Sequence, residues 1–163
     1  MSITFSVLYS SRQRAWKIAD FGLTVEGTSK HKSTTRYARG TSSYRAPELI
    51  RDFSFTNKVD IWALGCILYE VVFLQKAFLT DNAVHDYALK SQSTGHRLKL
   101  PLERGVSLDE TFQTSITPLL YSMLEIEPAN RPSATDLLQS FAQAFGEQKT
   151  EPWDAGCPNG GLL

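Results

Sequence analysis

The apolar pattern predicts a chain that starts with a β-hairpin and is mostly helical after residue 56. Residues 3–9 and 15–19 are rich in β-branched and aromatic side chains, which favours two short strands joined by a turn at residues 11–14. Residues 22–43 show no apolar periodicity and are rich in Thr, Ser, Gly and basic residues. A connection of this length within a compact domain is usually functional or disordered.

The most apolar helix is predicted directly after Asn57, a candidate N-cap that is followed by Asp60 near the positive end of the helix dipole. Its apolar residues lie nearly all round the helix, as is typical of a buried central helix. They are Ile61, Leu64, Cys66, Ile67, Leu68, Val71 and Val72. A weaker helical pattern spans residues 81–90, and residues 91–108 are predicted to form a loop.

Residues 112–124 also have helical spacing, but Pro118 interrupts them. Either the helix bends at the proline, or Thr117 caps a new helix with Pro118 in its first position. The pattern leaves both alternatives open.

The clearest helix start is at Ser133. Asp136 follows it at capping-box spacing, in place of the usual Glu, and an apolar face then extends to Phe145. Gly146 ends the pattern. The residues after it, 147–163, are rich in glycine and proline and are predicted to be a disordered tail.

The composition is that of one globular domain, with 163 residues of which 42% are hydrophobic. Lys plus Arg equals Asp plus Glu at 17 each, so the overall charge does not indicate a nucleic acid or a membrane as partner. The most apolar stretch, residues 59–75, contains two acids and is too short to span a bilayer. Two scattered cysteines are far from a secreted disulfide pattern, which predicts an intracellular protein, cytoplasmic or nuclear.

The zero net charge hides an asymmetry. Residues 1–58 hold ten basic and four acidic side chains, whereas residues 59–163 hold seven and thirteen. A basic front on an acidic body suggests a front that handles anions; the alternative is two solvated faces that happen to differ.

Four motifs follow one another at characteristic spacing. They are Asp20-Phe21-Gly22, Gly40-Thr41-x-x-Tyr44-x-Ala46-Pro47-Glu48, Asp60-Ile61-Trp62-Ala63-Leu64-Gly65 and Glu127-Pro128-Ala129-Asn130-Arg131-Pro132-Ser133. In this order they resemble the C-terminal half of a eukaryotic protein-kinase domain of the Ser/Thr type, over residues 5–145. The resemblance implies a mainly α-helical C-lobe with a short N-terminal β-hairpin, part of the α+β kinase fold with the N-lobe absent, over residues 1–146.

The resemblance makes Asp20 the metal-binding aspartate of the family. A carboxylate suits Mg²⁺, a hard cation that bridges the nucleotide phosphates. Phe21 and Gly22 would complete this nucleotide-binding turn, since glycine lets the backbone turn and the aromatic ring packs below it. Extending the match places Ser6 at the second metal ligand, where the family has an asparagine. ATP and Mg²⁺ are the cofactors that the family implies.

The later motifs imply substrate-binding and structural roles. Thr41 matches the threonine that touches the catalytic aspartate in Ser/Thr kinases. Glu48 is expected to form the buried ion pair of the family with Arg131, whose guanidinium can bind a carboxylate through two parallel hydrogen bonds. Asp60 matches the helix acid that holds the catalytic-loop backbone. The expected packing positions are Trp62 and Gly65.

The resemblance assigns residues 20–48 to an activation segment in which basic and hydroxyl side chains alternate. The basic ones are Lys30, Lys32, Arg36 and Arg39. The candidate phosphorylation sites are Ser29, Ser33, Thr34 and Thr35. A phosphate would bring roughly −1.5 to −2 charges next to these cations and could order the segment; the alternative is a basic loop that is never modified.

Several parts of a complete kinase are not found in this sequence. It has no glycine-rich loop, strand lysine, helix glutamate or His-Arg-Asp catalytic loop, and Met1 falls about where the catalytic aspartate is expected. We therefore expect a truncated kinase fragment that does not bind ATP and Mg²⁺ and has no meaningful kinase rate. Without the helix that precedes the catalytic loop, apolar surface near Ile61, Ile67 or Val71 is expected to be exposed.

Three functions remain open at this point. The chain can be a truncated or mispredicted product of a gene for a Ser/Thr protein kinase, which transfers phosphate from ATP to protein hydroxyls. It can be a kinase-derived module that binds a substrate or partner protein around residues 81–90 and 112–124. It can also be a non-functional remnant. All three involve protein partners at most, with no nucleic acid and no membrane, and none indicates an oligomeric state.

Overall fold

The strand-like residues at the start of the chain form an antiparallel hairpin in the computed structural model, which describes residues 6–19, 32–36, 40–94 and 109–146. Strand β1 (Ser6–Ser10) pairs with β2 (Ala15–Ala19), with Ser6 opposite Ala19 and Ser10 opposite Ala15. The predicted hairpin is therefore confirmed. Its first strand begins at Ser6, and residues 3–5 of the predicted strand lie outside the described part.

The described residues 32–36 of the stretch without apolar periodicity include a short strand. Here β3 (Ser33–Thr34) pairs with β4 (Ser54–Phe55), and the Thr35 amide donates a 2.8 Å hydrogen bond to the Phe53 carbonyl. The prediction was wrong at this point because a two-residue strand has no periodicity to detect. Its existence depends on a partner twenty residues further along the chain.

A second element missed by the pattern is the helix α1 (Pro47–Arg51), which follows a 3-10 turn at Ser42–Tyr44. Pro47 occupies its first turn, where a missing amide hydrogen costs nothing. Five residues are too few for helical periodicity to stand out from the sequence.

The long helix α2 (Lys58–Phe73) begins directly after Asn57, as predicted, although the Asn57 side chain forms no cap hydrogen bond. One side of the helix is buried, but Leu64 and Val71 are 38% and 56% exposed. The prediction of a buried central helix is therefore confirmed for one side of α2, whereas no described element covers the side of Leu64 and Val71. Val71 is exposed as expected, whereas Ile61 is buried against Met123 and Leu137.

Helix α3 (Asp81–Thr94) is four residues longer than predicted. Residues 91–94 belong to this helix and not to a loop, and residues 95–108 lie outside the described part. Val84 and Ala88 are its buried positions, and Val84 joins the core around Trp62.

Helix α4 (Glu110–Met123) runs through Pro118 without a new start. Its cap is Asp109, whose carboxylate accepts the Phe112 amide at 3.1 Å. Thr117 lies within the helix and its hydroxyl donates to the Gln113 carbonyl at 2.7 Å, so the alternative of a Thr117 cap is wrong.

The last helix, α5 (Ala134–Phe145), has the predicted capping box. The Asp136 amide donates to Ser133 Oγ at 3.1 Å, and the Ser133 amide donates to the Asp136 carboxylate at 2.8 Å. The helix ends at Gly146, whose positive φ of 78° favours glycine. The predicted tail, residues 147–163, lies outside the described part.

The core is built around α2. The Trp62 ring is fully buried and stacks on Phe78 with ring centroids 5.4 Å apart. Gly65 brings α2 and α4 close together: a Cβ atom there would lie 2.9 Å from Met123 Cβ and 3.1 Å from Leu124 Cδ2. In the described part of the chain, no helix is both long and apolar enough to cross a membrane.

We predict that Gly65→Ala destabilises the fold. Overpacking typically costs about 1–3 kcal/mol, because Met123 Cβ is fixed to the backbone of α4 and cannot turn aside. The better helix propensity of alanine offsets about 1 kcal/mol of this. Urea unfolding should give a lower free energy of unfolding than the wild type. Val71→Ala, on the exposed side of the same helix, should stay within about 0.5 kcal/mol of the wild type; equal stability of the two variants would contradict the close approach at Gly65.

Candidate functional site

A buried ion pair links the motif at residues 40–48 to the loop before α5. Arg131 and Glu48 are 1% and 6% exposed. Arg131 Nη1 donates to Glu48 Oε1 at 2.7 Å and Nη2 donates to Oε2 at 2.8 Å. This is the two-pronged geometry in which a guanidinium matches a carboxylate best. The structure therefore contains the pair that the motifs imply.

The remaining donors of Arg131 all reach backbone carbonyls. Nε donates to Glu125 O at 2.7 Å, Nη1 to Lys58 O at 3.0 Å and Nη2 to Ile126 O at 3.1 Å. With the two bonds to Glu48, all five guanidinium N–H groups are satisfied, which offsets the cost of removing the charge from water. One side chain thus joins α1, the start of α2 and the loop after α4. The Lys58 ammonium returns a hydrogen bond to the Arg131 carbonyl.

Arg45 fastens the beginning of the same motif. Its Nε donates to the Gly40 carbonyl at 2.9 Å, and its Nη1 lies 2.6 Å from Asp81 Oδ2 at the first position of α3. Gly40 has a φ of 85°, a conformation that favours glycine. The turn at Gly40 is therefore held against α3 through one guanidinium.

Tyr44 and Ser43 hold the middle of the motif. The Tyr44 hydroxyl donates to Glu70 Oε2 on α2 at 2.6 Å. Burial, together with the hydrogen bond and charge of Glu70, raises the pKa of Tyr44 to about 12, so the hydroxyl keeps its proton at neutral pH. Ser43 Oγ donates to the Leu79 carbonyl at 3.3 Å.

Thr41 is the exposed residue of this anchored segment, by which we mean residues 40–48. Its carbonyl accepts the Tyr44 amide at 3.0 Å, and its side chain forms no cap hydrogen bond. Because its neighbours are tied to α2, α3 and Arg131, the backbone at Thr41 is positioned without the help of its own side chain. Thr41 is therefore an exposed residue on a segment that side chains on both sides of it hold in place.

Asp60 is half-buried in the first turn of α2. Burial raises the pKa of this carboxyl to about 7 from its ordinary value of 3.8. Within residues 6–19, 32–36, 40–94 and 109–146 its carboxylate has no hydrogen-bond or ion-pair partner. Its expected role, holding the backbone of a catalytic loop, stays a prediction.

The remaining site residues are only partly within the described structure. Trp62 and Gly65 lie in the core. Ser33 and Thr34 form β3, followed by Thr35, and the backbone of Ser6 starts β1. Outside the described part are Asp20, Phe21, Gly22, Ser29, Lys30 and Arg39. Among the residues that are described, no three His, Cys, Asp or Glu side chains converge on a metal site.

Sequence reasoning missed the partners that anchor the segment. Arg45 stood at an unassigned position of the motif, and Asp81 is 36 residues away from it. Glu70 is 26 residues from Tyr44. No spacing rule connects such distant side chains. The available sequence signal for these contacts was the concentration of polar residues in the motif at residues 40–48.

Comparisons with known proteins agree with this geometry. Residues 6–141 match the family described as protein kinase domain. The chain is similar to the serine/threonine-protein kinase Nek8 of Danio rerio, 32% identical over 83% of this chain and 18% of the relative. It is also similar to Nek3 of Oryza sativa subsp. japonica, 32% identical over 82% of this chain and 21% of the relative, and to Nek5 of Mus musculus, 28% identical over 82% and 20%. The chain therefore spans about a fifth of the length of these relatives.

We predict that Arg131→Ala lowers the free energy of unfolding by about 3–5 kcal/mol, because Glu48 would stay buried without its partner. Arg131→Lys should recover little, since an ammonium cannot bind both carboxylate oxygens and three carbonyls at once. The matched control is Arg51→Ala, which breaks an exposed ion pair with Asp52 at 2.7 Å and should cost no more than about 1 kcal/mol. Thermal and urea unfolding measure the stability of both variants. An Arg131→Ala variant as stable as the wild type would disprove the structural role of Arg131.

We also predict that Asp60 makes stability depend on pH. Its folded-state pKa lies above its unfolded value, so the folded protein retains a proton that the unfolded chain loses as pH rises from about 4 to about 7. The contribution of Asp60 to stability is present below this window and is lost across it. Asp60→Asn should therefore gain stability relative to the wild type as the pH rises in urea titrations.

The control for this pH dependence is Asp136→Asn, because hydrogen bonds from Ser133 lower the pKa of Asp136. The stabilisation by Asp136 is present at neutral pH and is lost as the pH falls, which is the opposite sign. Parallel curves for Asp60→Asn and the wild type would show that Asp60 does not titrate in this window.

Proposed function

This chain belongs to the protein kinase domain family, and we propose that it forms the protein-substrate side of a Ser/Thr kinase domain. The reaction would be ATP-dependent phosphoryl transfer to Ser or Thr hydroxyls of a protein. The observation that carries the proposal is the anchored segment 40–48, in which four side chains form bonds to α2, to α3, to the Leu79 carbonyl between these helices and to Arg131, while Thr41 stays exposed.

Rigidity of this segment matters because phosphoryl transfer is almost entirely positioning and electrostatics. A hydroxyl nucleophile reacts when it is held about 3–3.5 Å from the phosphorus in line with the leaving oxygen. A segment that keeps its shape when a peptide binds loses little conformational entropy on binding. Thr41 would then align the bound peptide with the catalytic aspartate.

The nucleotide side of the reaction would involve Asp20, Phe21 and Gly22, with Ser6 as a further metal ligand. Oxygen donors of this kind suit Mg²⁺, which supplies charge neutralisation for the phosphates when it is bound. Asp60 would orient the backbone of the catalytic loop, for which a half-buried carboxylate at the start of α2 is well placed.

We further propose that these 163 residues do not catalyse the transfer on their own. They contain no glycine-rich loop, strand lysine or His-Arg-Asp loop, and a kinase needs all three. ATP and Mg²⁺ would be bound in a longer protein that contains these residues. We place that protein inside the cell, cytoplasmic or nuclear, since the cysteines show no secreted pattern.

The alternative is a non-catalytic module that binds another protein. It is favoured by the apolar side chains on one face of the hairpin, where Tyr9, Trp16 and Ile18 are each more than half exposed. Large apolar patches on a folded surface usually mark an interaction site. In a kinase domain whose other residues cover the hairpin, this apolar patch would not be exposed to a partner.

The test compares two samples. Protein that carries this chain, purified from cells that express it, should transfer labelled phosphate from ATP to a Ser/Thr peptide, and Asp20→Asn should abolish the transfer. The isolated 163-residue chain should show no transfer and no rise in its unfolding temperature with Mg-ATP, since a ligand that binds the folded state must stabilise it.

Either result can fail independently. If the protein from expressing cells shows no transfer activity, the non-catalytic binding module is supported instead. Stabilisation of the isolated chain by Mg-ATP that is lost in Asp20→Asn would overturn the proposal that these residues do not bind the nucleotide. Sequencing the full transcript would show whether the glycine-rich loop, lysine and His-Arg-Asp are encoded in frame.

A further inference from the structure

The hairpin of β1 and β2 has exposed side chains on both faces, and no third described strand pairs with it. An edge strand presents a row of backbone N–H and C=O groups to which another strand can bind. We propose that the outer edge of β2 binds an acidic, extended segment of a partner protein as a third strand. The proposal goes beyond the function above, because it needs neither the anchored segment nor the phosphoryl transfer.

One face of the hairpin offers an apolar surface to such a strand. Trp16 and Ile18 are 64% and 57% exposed, and their spacing of two residues places them on the same face of β2. Tyr9 of β1 pairs with Trp16, and the centroids of the two rings are 5.1 Å apart. A strand added beside β2 can therefore pack apolar side chains against Trp16 and Ile18.

The charges of the hairpin favour an acidic partner. Residues 6–19 contain Arg12, Arg14 and Lys17 and no acidic side chain. All three cations are exposed, and none forms an ion pair with a carboxylate of the described residues. A second copy of the hairpin would bring like charges together, which disfavours self-pairing. A segment that carries carboxylates is attracted to the hairpin instead.

The sequence of β2 gives the partner segment a pattern. Lys17 lies between Trp16 and Ile18 and is on the opposite face of the strand. Side chains of an added strand alternate between the same two faces. The segment that fits best therefore has an acidic residue beside Lys17 and an apolar residue on each side of it. The edge of β1 offers no such charge, because Ser6–Ser10 contains no charged residue.

Binding of this kind also addresses the stability of the hairpin. A two-stranded hairpin is marginally stable in water, whereas three strands with an apolar face are more stable. In strand addition, the main-chain hydrogen bonds supply affinity and the alternate side chains supply specificity. A bound segment should therefore slow the amide hydrogen exchange of β2 and should be selected by its charge.

The test uses the full 163-residue chain and two peptides of about seven residues, the length of an ordinary strand. Val and Glu alternate in one peptide, and Val and Lys alternate in the other. Calorimetric titration should give the Val/Glu peptide an affinity at least about tenfold higher, because Lys17 attracts carboxylates and repels ammonium groups. Raising the salt concentration should weaken its binding.

Three variants separate the charge from the apolar contact. Lys17→Glu should lower the affinity for the Val/Glu peptide about tenfold and raise that for the Val/Lys peptide. Lys32→Glu makes the same change of charge at an exposed position outside the hairpin and should leave both affinities within about twofold. Ile18→Thr keeps a β-branched residue in the strand but removes apolar surface, so it should weaken both peptides alike.

Amide hydrogen exchange locates the bound peptide, and protection should increase in residues 15–19. Equal affinities for the two peptides would overturn the proposal, as would an affinity that Lys17→Glu leaves unchanged or protection confined to residues outside the hairpin. A chain that binds phosphatidylserine vesicles but neither peptide would also overturn it, since the ligand would then be a membrane. None of these readouts depends on kinase activity, so a failure here is separable from a failure of the proposed function.

Discussion

The architecture of the described residues depends on one buried guanidinium. Arg131 satisfies all five of its N–H groups, two on Glu48 and three on backbone carbonyls. A buried charge is costly unless it is fully paired, so this geometry tolerates few rearrangements. It fixes α1 against the start of α2 and against the loop after α4. The anchored segment continues directly into α1, and its shape therefore depends on a residue more than 80 positions away.

The anchored segment and a nearby cleft both depend on this pair. The anchored segment 40–48 is tied to α3 by Arg45 and to α2 by Tyr44. A cleft beside β3 and β4 is lined by Glu48 and Lys58, among other residues. Arg131 contacts both of these residues, so the anchored segment and this cleft share one structural support. Because the chain belongs to the protein kinase family, we propose that the anchored segment binds the protein substrate.

Some apolar side chains of α2 and of the hairpin are not covered by the described residues. Leu64 and Val71 on α2 and several hairpin side chains are exposed. The half-buried carboxylate of Asp60 lies on the same helix, with its pKa raised by burial. Among the described residues, this carboxylate has no partner and these apolar side chains are not covered.

Local chemistry could be predicted from the sequence, and long-range pairing could not. The capping box of Ser133 and Asp136, the start of α2 after Asn57 and the β1–β2 hairpin each depend on residues close together in the chain. The Glu48–Arg131 pair was foreseen through the family resemblance of its motifs. The partners of Arg45 and Tyr44, the pairing of β3 with β4 and the exposed side of α2 were decided by tertiary structure. They depend on which distant groups meet, and neither propensity nor spacing encodes that information.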